Sequence, residues 1–250
     1  MEYIEFFSTV IQKIGGRYLM ATAGAFLIFY VLFKKSVAKR KIQGAFPKKK
    51  DYLRDFGYSA LSIVIFSVVA VFTFKILRPY SSLYVDFELY GTGYYVFSFA
   101  FLFFFHDAYF YVIHRLMHLP ALFKSVHLVH HKSTNPSPWT AYAFHPLEAI
   151  LEAAVIPLMT FIIPVHVTVI GFLMLFQIFY NVYGHLGYEF FPRGFQKTWI
   201  GRYFNTSVAH NQHHHKFDGN YGLYTLIWDR VFGTVREDYE ETFEGVFTKN

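Results

Sequence analysis

The sequence predicts an all-α integral membrane bundle with a histidine-rich site at its cytoplasmic face. Three observations carry that expectation. Hydrophobic residues make up 54% of the 250 positions and collect in long uncharged runs. A dense block of Lys and Arg separates the first two runs. The thirteen histidines all lie from residue 106 onward, most of them in tight groups such as "HRLMHLPALFKSVHLVHH" (114–131) and "HNQHHH" (210–215).

The first span is expected over Tyr18–Phe33, "YLMATAGAFLIFYVLF", stopped by Lys34 and Lys35. It starts too late and runs too long for a cleaved leader, and it lacks a clean small-residue cleavage site. The second is "YSALSIVIFSVVAVFTF", Tyr58–Phe74, between Arg54 and Lys75. The third is "YGTGYYVFSFAFLFFF", Tyr90–Phe105, which runs into His106. Each approaches the roughly 17–25 residues that a membrane helix needs. A fourth apolar region, Pro146–Tyr183, is interrupted by Pro157, Pro164 and His166 and reads as a hairpin of two segments, 147–163 and 167–184.

The net charge of +6 is concentrated in Lys34, Lys35, Lys39, Arg40, Lys41, Lys48, Lys49, Lys50 and Arg54. A basic loop between two spans marks the cytoplasmic side and can hold anionic headgroups, which makes nucleic acid the poorer reading. From that anchor, span two leaves the cytoplasm and Asp86 and Glu88 lie outside. Span three then returns, the hairpin dips in and comes back, and both histidine groups emerge on the face of the basic loop. The expectation is one membrane-embedded domain: spans and basic loop in 1–94, the histidine-bearing region in 95–236, and an acidic, solvated tail in 237–250. This multi-pass topology fits a bacterial inner membrane and an endoplasmic reticulum membrane alike.

His114 and His118 are four apart and share a helix face. His127, His130 and His131 fall at i, i+3 and i+4, and His210, His213 and His214 repeat that spacing. Neutral imidazole is the commonest protein ligand for Zn, Cu, Fe and Ni. A single four-coordinate ion needs about four ligands, so eight imidazoles imply two ions. His185 and His145 are further candidates. His106 lies about 80° off the His114 face, His166 stands alone between the hairpin segments, and His215 points away from the 210/213/214 set. Asp107, on nearly the same face as His114, is expected to orient an imidazole through its outer N–H. Cysteine is absent, which excludes thiolate ligation and a disulfide framework.

Other functions fit less well. A transporter would carry ionisable groups at the midplane of several spans, and the first two are almost bare of them. A membrane zinc hydrolase would need a His-Glu-x-x-His motif or similar; Glu148 and Glu152 share a face near His145 but form no such motif. "YGTGYY" lies in a span with no strand before it and is no dinucleotide fingerprint.

At these residues the chain resembles the fatty acid hydroxylase/sterol desaturase superfamily, membrane non-haem di-iron oxygenases. The shared pattern is His-x3-His, His-x2-His-His and a distant second His-x2-His-His. The flanking blocks match too: "DAYFYVIHRLMHLPALFKSVHLVHHKSTNPSPWTAYAFHP" and "HNQHHHKFDGNYGLYTLIWDRVFGT". The resemblance covers about residues 95–236. It implies two Fe ions, which Zn can replace in recombinant material, and O2-dependent hydroxylation of a fatty acyl, sterol or related lipid, with desaturation as the alternative. It implies His114, His118, His127, His130, His131, His210, His213 and His214 as ligands, with His185 and His145 beside them. It also points to Asn220, Tyr221 and Asp229, with Asp107, as residues supporting the ligands. For Trp228 and Gly233 a packing role serves as well. The sequence leaves no room for a fused haem domain, so electrons are expected from a cytochrome b5-like, ferredoxin-like or flavoprotein donor.

Overall fold

The computed structural model describes residues 2–248. Among the described residues, four helices are long and apolar enough to cross a membrane: 3–32, 49–80, 91–117 and 167–184. Helix α1 runs over Tyr3–Phe26 and continues as a π turn to Leu32. It begins fifteen residues before the apolar run at Tyr18, because no proline or cap stops helix propagation on that side. Helix α2 (Lys49–Val71) starts where the Asp51 carboxylate accepts from the Lys48 N–H at 3.0 Å, a favourable place for an anion at a helix N-terminus. Helix α3 is Gly91–Met117, followed by α4 (Pro120–Val126) and α5 (Leu128–His131).

The expected segment 147–163 is two helices, α6 (Pro146–Ala153) and α7 (Val155–Ile162). Pro157 explains the break: it has no N–H for the Ala153 carbonyl, and its ring crowds the turn before it. Helix α8 spans Val167–Gly184. After it come α9 (Ser207–Lys216), α10 (Ile227–Val231) and α11 (Tyr239–Gly245).

Two sets of contacts define the ends of the bundle. At one end, strand β1 (Leu83–Tyr84), between α2 and α3, pairs in parallel with strand β2 (Val165–His166), between α7 and α8. His166 sits here, 3.0 Å from the Val85 carbonyl, far from the other histidines in the fold. At the other end, the basic loop lies against the segments that carry the histidine groups. Ile42 N–H donates to Gly187, Glu189 N–H to Arg40, and Gln43 Nε2 to both Thr134 O and Asn211 Oδ1. The hairpin therefore turns at the α2–α3 end and returns, so both histidine groups share one end with the basic loop.

The surface is inverted relative to a water-soluble domain. Leu19, Val68, Phe97, Phe104 and Phe172 are exposed, while Thr22, Ser59, Ser62, Ser67 and Ser98 are buried. In lipid, helices gain little from hydrophobic association and rely on close packing and interhelical hydrogen bonds of about 0.6–2 kcal/mol each. Tyr18 and Ser59 both donate to the Trp139 carbonyl, at 3.0 and 3.2 Å. Asp55 accepts from Arg54, Ser133 and Thr140, tying α2 to the loop after α5.

The tail corrects the expectation of a solvated segment. Tyr239, Phe243 and Val246 are buried against Val208 and Ala209 of α9. They fall at i, i+4 and i+7, the spacing of one apolar helix face, with Glu240 and Glu241 turned away.

The chain has no native cysteine, so single introduced thiols report its topology. Lys39→Cys and His215→Cys are expected to react with an impermeant maleimide from the same side of sealed vesicles, and Val85→Cys only from the other. Labelling of all three from one side would overturn the hairpin path.

Candidate metal centre

The ends of α3 and α8, the short α5 and the buried face of α9 converge on two histidine groups. One comprises His114, His118, His127, His131 and His213; the other comprises His130, His185, His210 and His214. In each, one nitrogen per ring lies within 4.8 Å of all the others. Each His-x2-His-His segment is divided between them. His127 and His131 enter the first group and His130 the second, whereas His210 and His214 enter the second and His213 the first. Residues i and i+4 differ by about 40° around a helix, while i+3 and i+4 differ by about 100°. The adjacent pair therefore faces two centres.

The outer nitrogens determine which ring nitrogen is free. Nδ1 of His114 donates to Tyr221 O at 2.8 Å, that of His185 to Asn181 O at 2.8 Å, that of His213 to Gly219 O at 2.7 Å, and that of His214 to Ser133 O at 3.1 Å. A carbonyl oxygen can only accept, so in these four rings Nδ1 carries the proton. Burial, and then the neighbouring imidazoles, push His127, His130, His131, His210, His213 and His214 well below the ordinary imidazole range. Neutral rings with Nδ1 protonated leave Nε2 bare.

These bare nitrogens face one another. His185 Nε2 is 3.1 Å from His214 Nε2, and neither carries a proton to share. His185 Nε2 also meets His130 and His210 at 3.2 and 3.0 Å. In the first group His114 meets His127 at 3.0 Å and His118 meets His131 at 3.1 Å, while buried His213 Nε2 has no protein partner among the described residues. Two imidazoles bound at about 2.1 Å to one ion lie roughly 3.0–3.4 Å apart for angles between about 90° and tetrahedral. The rings fit a metal ion at each group. An all-imidazole set suits redox-active iron as well as zinc.

His145 stands outside both groups: its Nδ1 caps α6 by accepting from the Leu147 N–H at 3.3 Å. His106 is outside them as well, its Nδ1 3.0 Å from the Tyr224 hydroxyl. His215 is exposed.

The expected supporting residues meet the histidine groups mainly through main chain, and Asp107 differs from the expectation that it orients a ring. Asp107 touches no ligand ring; it accepts from the Tyr224 and Thr225 N–H groups and the Thr225 hydroxyl, pinning that turn to α3. Asn220, at φ 52°, donates to Ala209 O and Gln212 Oε1 and joins the loop to α9. Tyr221 meets His114 through its carbonyl, and its ring packs 5.1 Å from that of His118. Asp229 accepts from the Tyr221 and Gly222 N–H groups at 2.8 Å each, holding the carbonyl that orients His114. Buried Glu189, four residues after His185, accepts from Tyr183 OH and the Phe190, Phe191 and Val208 N–H groups, locking α9 to the end of α8.

Glu148 was not expected at the site. Its Oε1 lies 2.7 Å from His127 Nδ1, and both side chains are buried. It is the one carboxylate on a grouped histidine ring among the described residues. Its place three residues after His145, on the inward face of a helix starting beside the histidines, was the available signal.

The comparisons agree with the geometry. The Fatty acid hydroxylase family model matches residues 99–234. Lathosterol oxidase of Rattus norvegicus is 30% identical over 236 residues, covering 92% of this chain and 74% of that protein. The Homo sapiens lathosterol oxidase is 29% identical, also over 92% and 74%. Delta(7)-sterol 5(6)-desaturase of Eremothecium gossypii is 33% identical over 182 residues, 70% of this chain but only 48% of that protein. No solved structure matches this chain. The chain belongs to the fatty acid hydroxylase family. It is an integral membrane, oxygen-dependent lipid oxidoreductase.

Removing a carboxylate that orients a ligand imidazole weakens metal binding by about 10–100-fold. Glu148→Gln is expected to lose metal to a graded chelator at correspondingly lower chelator concentration, with unchanged helix content. Asp107→Asn is expected to lower the thermal midpoint instead, leaving metal retention intact. Retention in Glu148→Gln equal to the parent would show that Glu148 does not support the centre.

Proposed function

We propose that the nine grouped histidines, His114, His118, His127, His130, His131, His185, His210, His213 and His214, hold two iron ions, and that the chain uses O2 to desaturate a sterol-type lipid. The observation that carries this is the convergence of bare, buried Nε2 atoms on two centres. The relatives' names supply the substrate class and the outcome: two are lathosterol oxidases and one is a Delta(7)-sterol 5(6)-desaturase. The description of the matching family model favours a second reading, insertion of a hydroxyl.

Iron supplies the power to activate O2 for attack on a C–H bond that no acid–base group can ionise. The chain's own residues do the rest. Tyr221 O, Gly219 O, Asn181 O and Ser133 O hold four ligand rings in the tautomer that presents Nε2. Glu148 does the same for His127. On the membrane side, the Phe144 ring packs 5.0 Å from His130 and screens the second group with apolar surface. Desaturation takes two hydrogens from adjacent carbons and, with O2, two electrons and two protons, yields two waters. Hydroxylation consumes the same O2, electrons and protons, but one oxygen ends in the lipid and one in water.

Both outcomes need electrons from outside. We assign their entry to the face bearing the Lys/Arg loop, cytoplasmic by its charge. A separate cytochrome b5-like, ferredoxin-like or flavoprotein donor would approach there.

An anaerobically iron-loaded sample is expected to hold two irons per chain; one or none would sink the two-iron assignment. Lipid mass spectra of cells expressing the parent are expected to show a sterol-type lipid short of two hydrogens, absent with His130→Ala. Gain of one oxygen instead would establish the hydroxylase reading.

A further inference from the structure

Between α1, α2, α3, the α6–α7 pair and α8 lies a cavity of about 80 Å³. Its walls are mostly apolar, with Ile14, Phe66, Ile156 and Met174 among them. Phe144 lines it too and packs against His130, so one wall of the cavity backs onto the second histidine group. Three polar side chains interrupt this lining: His106, Glu152 and Gln177. Nothing in the metal centre uses them. Glu152 is one helical turn beyond Glu148, about 6 Å along α6; His106 is eight residues before His114, about 12 Å along α3.

Each of the three has hydrogen-bonding capacity to spare. His106 and Gln177 are at least nine-tenths buried. His106 meets Tyr224 OH through Nδ1, which leaves Nε2 without a protein partner among the described residues. Gln177 accepts from Tyr142 OH at Oε1, 3.2 Å away, which leaves its amide N–H groups free. No hydrogen bond or ion pair engages the Glu152 carboxyl among the described residues. An ionisable group inside a membrane bundle is costly and marks a site of function, and a buried polar group without a partner costs about 1–3 kcal/mol. Three side chains with spare hydrogen-bonding capacity around one apolar space are satisfied together by a ligand that is apolar except at one hydrogen-bonding end.

The charge of the lining selects that end. No Lys or Arg is among the lining residues, so a fatty acid carboxylate or a phosphate headgroup would meet a carboxyl with no counter-charge. A hydroxyl suits all three groups: it donates to Glu152 or to His106 Nε2 and accepts from Gln177. We infer that this cavity receives the polar end of the substrate and that Glu152, His106 and Gln177 bind the hydroxyl of a neutral lipid alcohol, fixing the position of the rest of the lipid relative to the histidine groups. The inference rests on the lipid-oxidase reading above and adds the group by which the lipid is held. Glu152 acts here as a positioning and specificity residue.

The test uses the full chain, iron-loaded, in phosphatidylcholine nanodiscs, with a diazirine-bearing sterol alcohol and its O-methyl ether as photoprobes. The alcohol is expected to label peptides containing residues 142–156 and 174–177, and the ether to label them about tenfold less, the effect of one lost hydrogen bond in a dry site. Glu152→Leu is expected to bring labelling by the alcohol down to the level of the ether, and Glu152→Gln, which keeps a hydrogen-bonding group, to restore part of it. Gln177→Leu gives a second reduction should Glu152→Leu fail to fold. All variants are expected to keep the iron content of the parent. Equal labelling by alcohol and ether, or labelling unchanged in the variants, would overturn the inference while a normal iron count left the metal centre standing. Discrimination between the probes by a chain that binds no iron pair would instead overturn the oxidase reading and leave the lipid site.

Discussion

Bare imidazole nitrogens held lone pair to lone pair in a buried place are the constraint on which this structure depends. His185 and His214 both direct protonated Nδ1 atoms at main-chain carbonyls, so their Nε2 atoms meet at 3.1 Å with nothing to share. Alone, that contact is repulsive, and each unpartnered buried nitrogen costs about 1–3 kcal/mol. A cation between the rings turns the same geometry into coordination. Metal binding at these groups would therefore be coupled to the packing of this end of the bundle, because a cation between the rings relieves their repulsion.

The polar residues nearby hold the rings in place through main chain. Asp229 fixes the Tyr221–Gly222 backbone, and the Tyr221 carbonyl fixes His114. Asp107 holds the turn at Tyr224 and Thr225, Asn220 joins the loop to α9, and Glu189 locks α9 onto α8. A main-chain carbonyl that orients a ligand ring is only as well placed as the loop carrying it. This explains why so many buried carboxylates bind N–H groups two steps away from the centre. Among the described carboxylates Glu148 alone meets a grouped ring directly, and it sits on α6, the helix that also carries Glu152 to the lipid-side cavity. One short helix thus links the metal centre to the space where the polar end of the lipid is proposed to bind.

The membrane imposes the remaining order. Apolar side chains cover the outside of the long helices, and small hydroxyl residues let them pack closely inside. The β1–β2 pairing satisfies main-chain groups at the turn of the hairpin and anchors it beside the α2–α3 connection. The return of α8 brings His185 back to the level of His114, and the segment after it lays α9 across the end of the bundle.

Much of this was legible in the sequence because it depends on local periodicity. Hydropathy located the long helices, the Lys/Arg loop marked the end where the histidines gather, and i, i+3, i+4 spacing picked out eight of the nine grouped rings. His185 was legible only as a further candidate, since it stands alone in the chain and joins its group through the fold. Tertiary structure decided the rest. It divided each His-x2-His-His segment between two groups, left His145 outside both with its ring capping a helix, and moved Asp107 from ring partner to loop anchor. It also placed Glu148 on His127, a contact across 21 residues that no spacing rule encodes. The physical reason is the same throughout: a residue's helical face follows from its neighbours in sequence, but its hydrogen-bond partner depends on which other element the fold brings to that face.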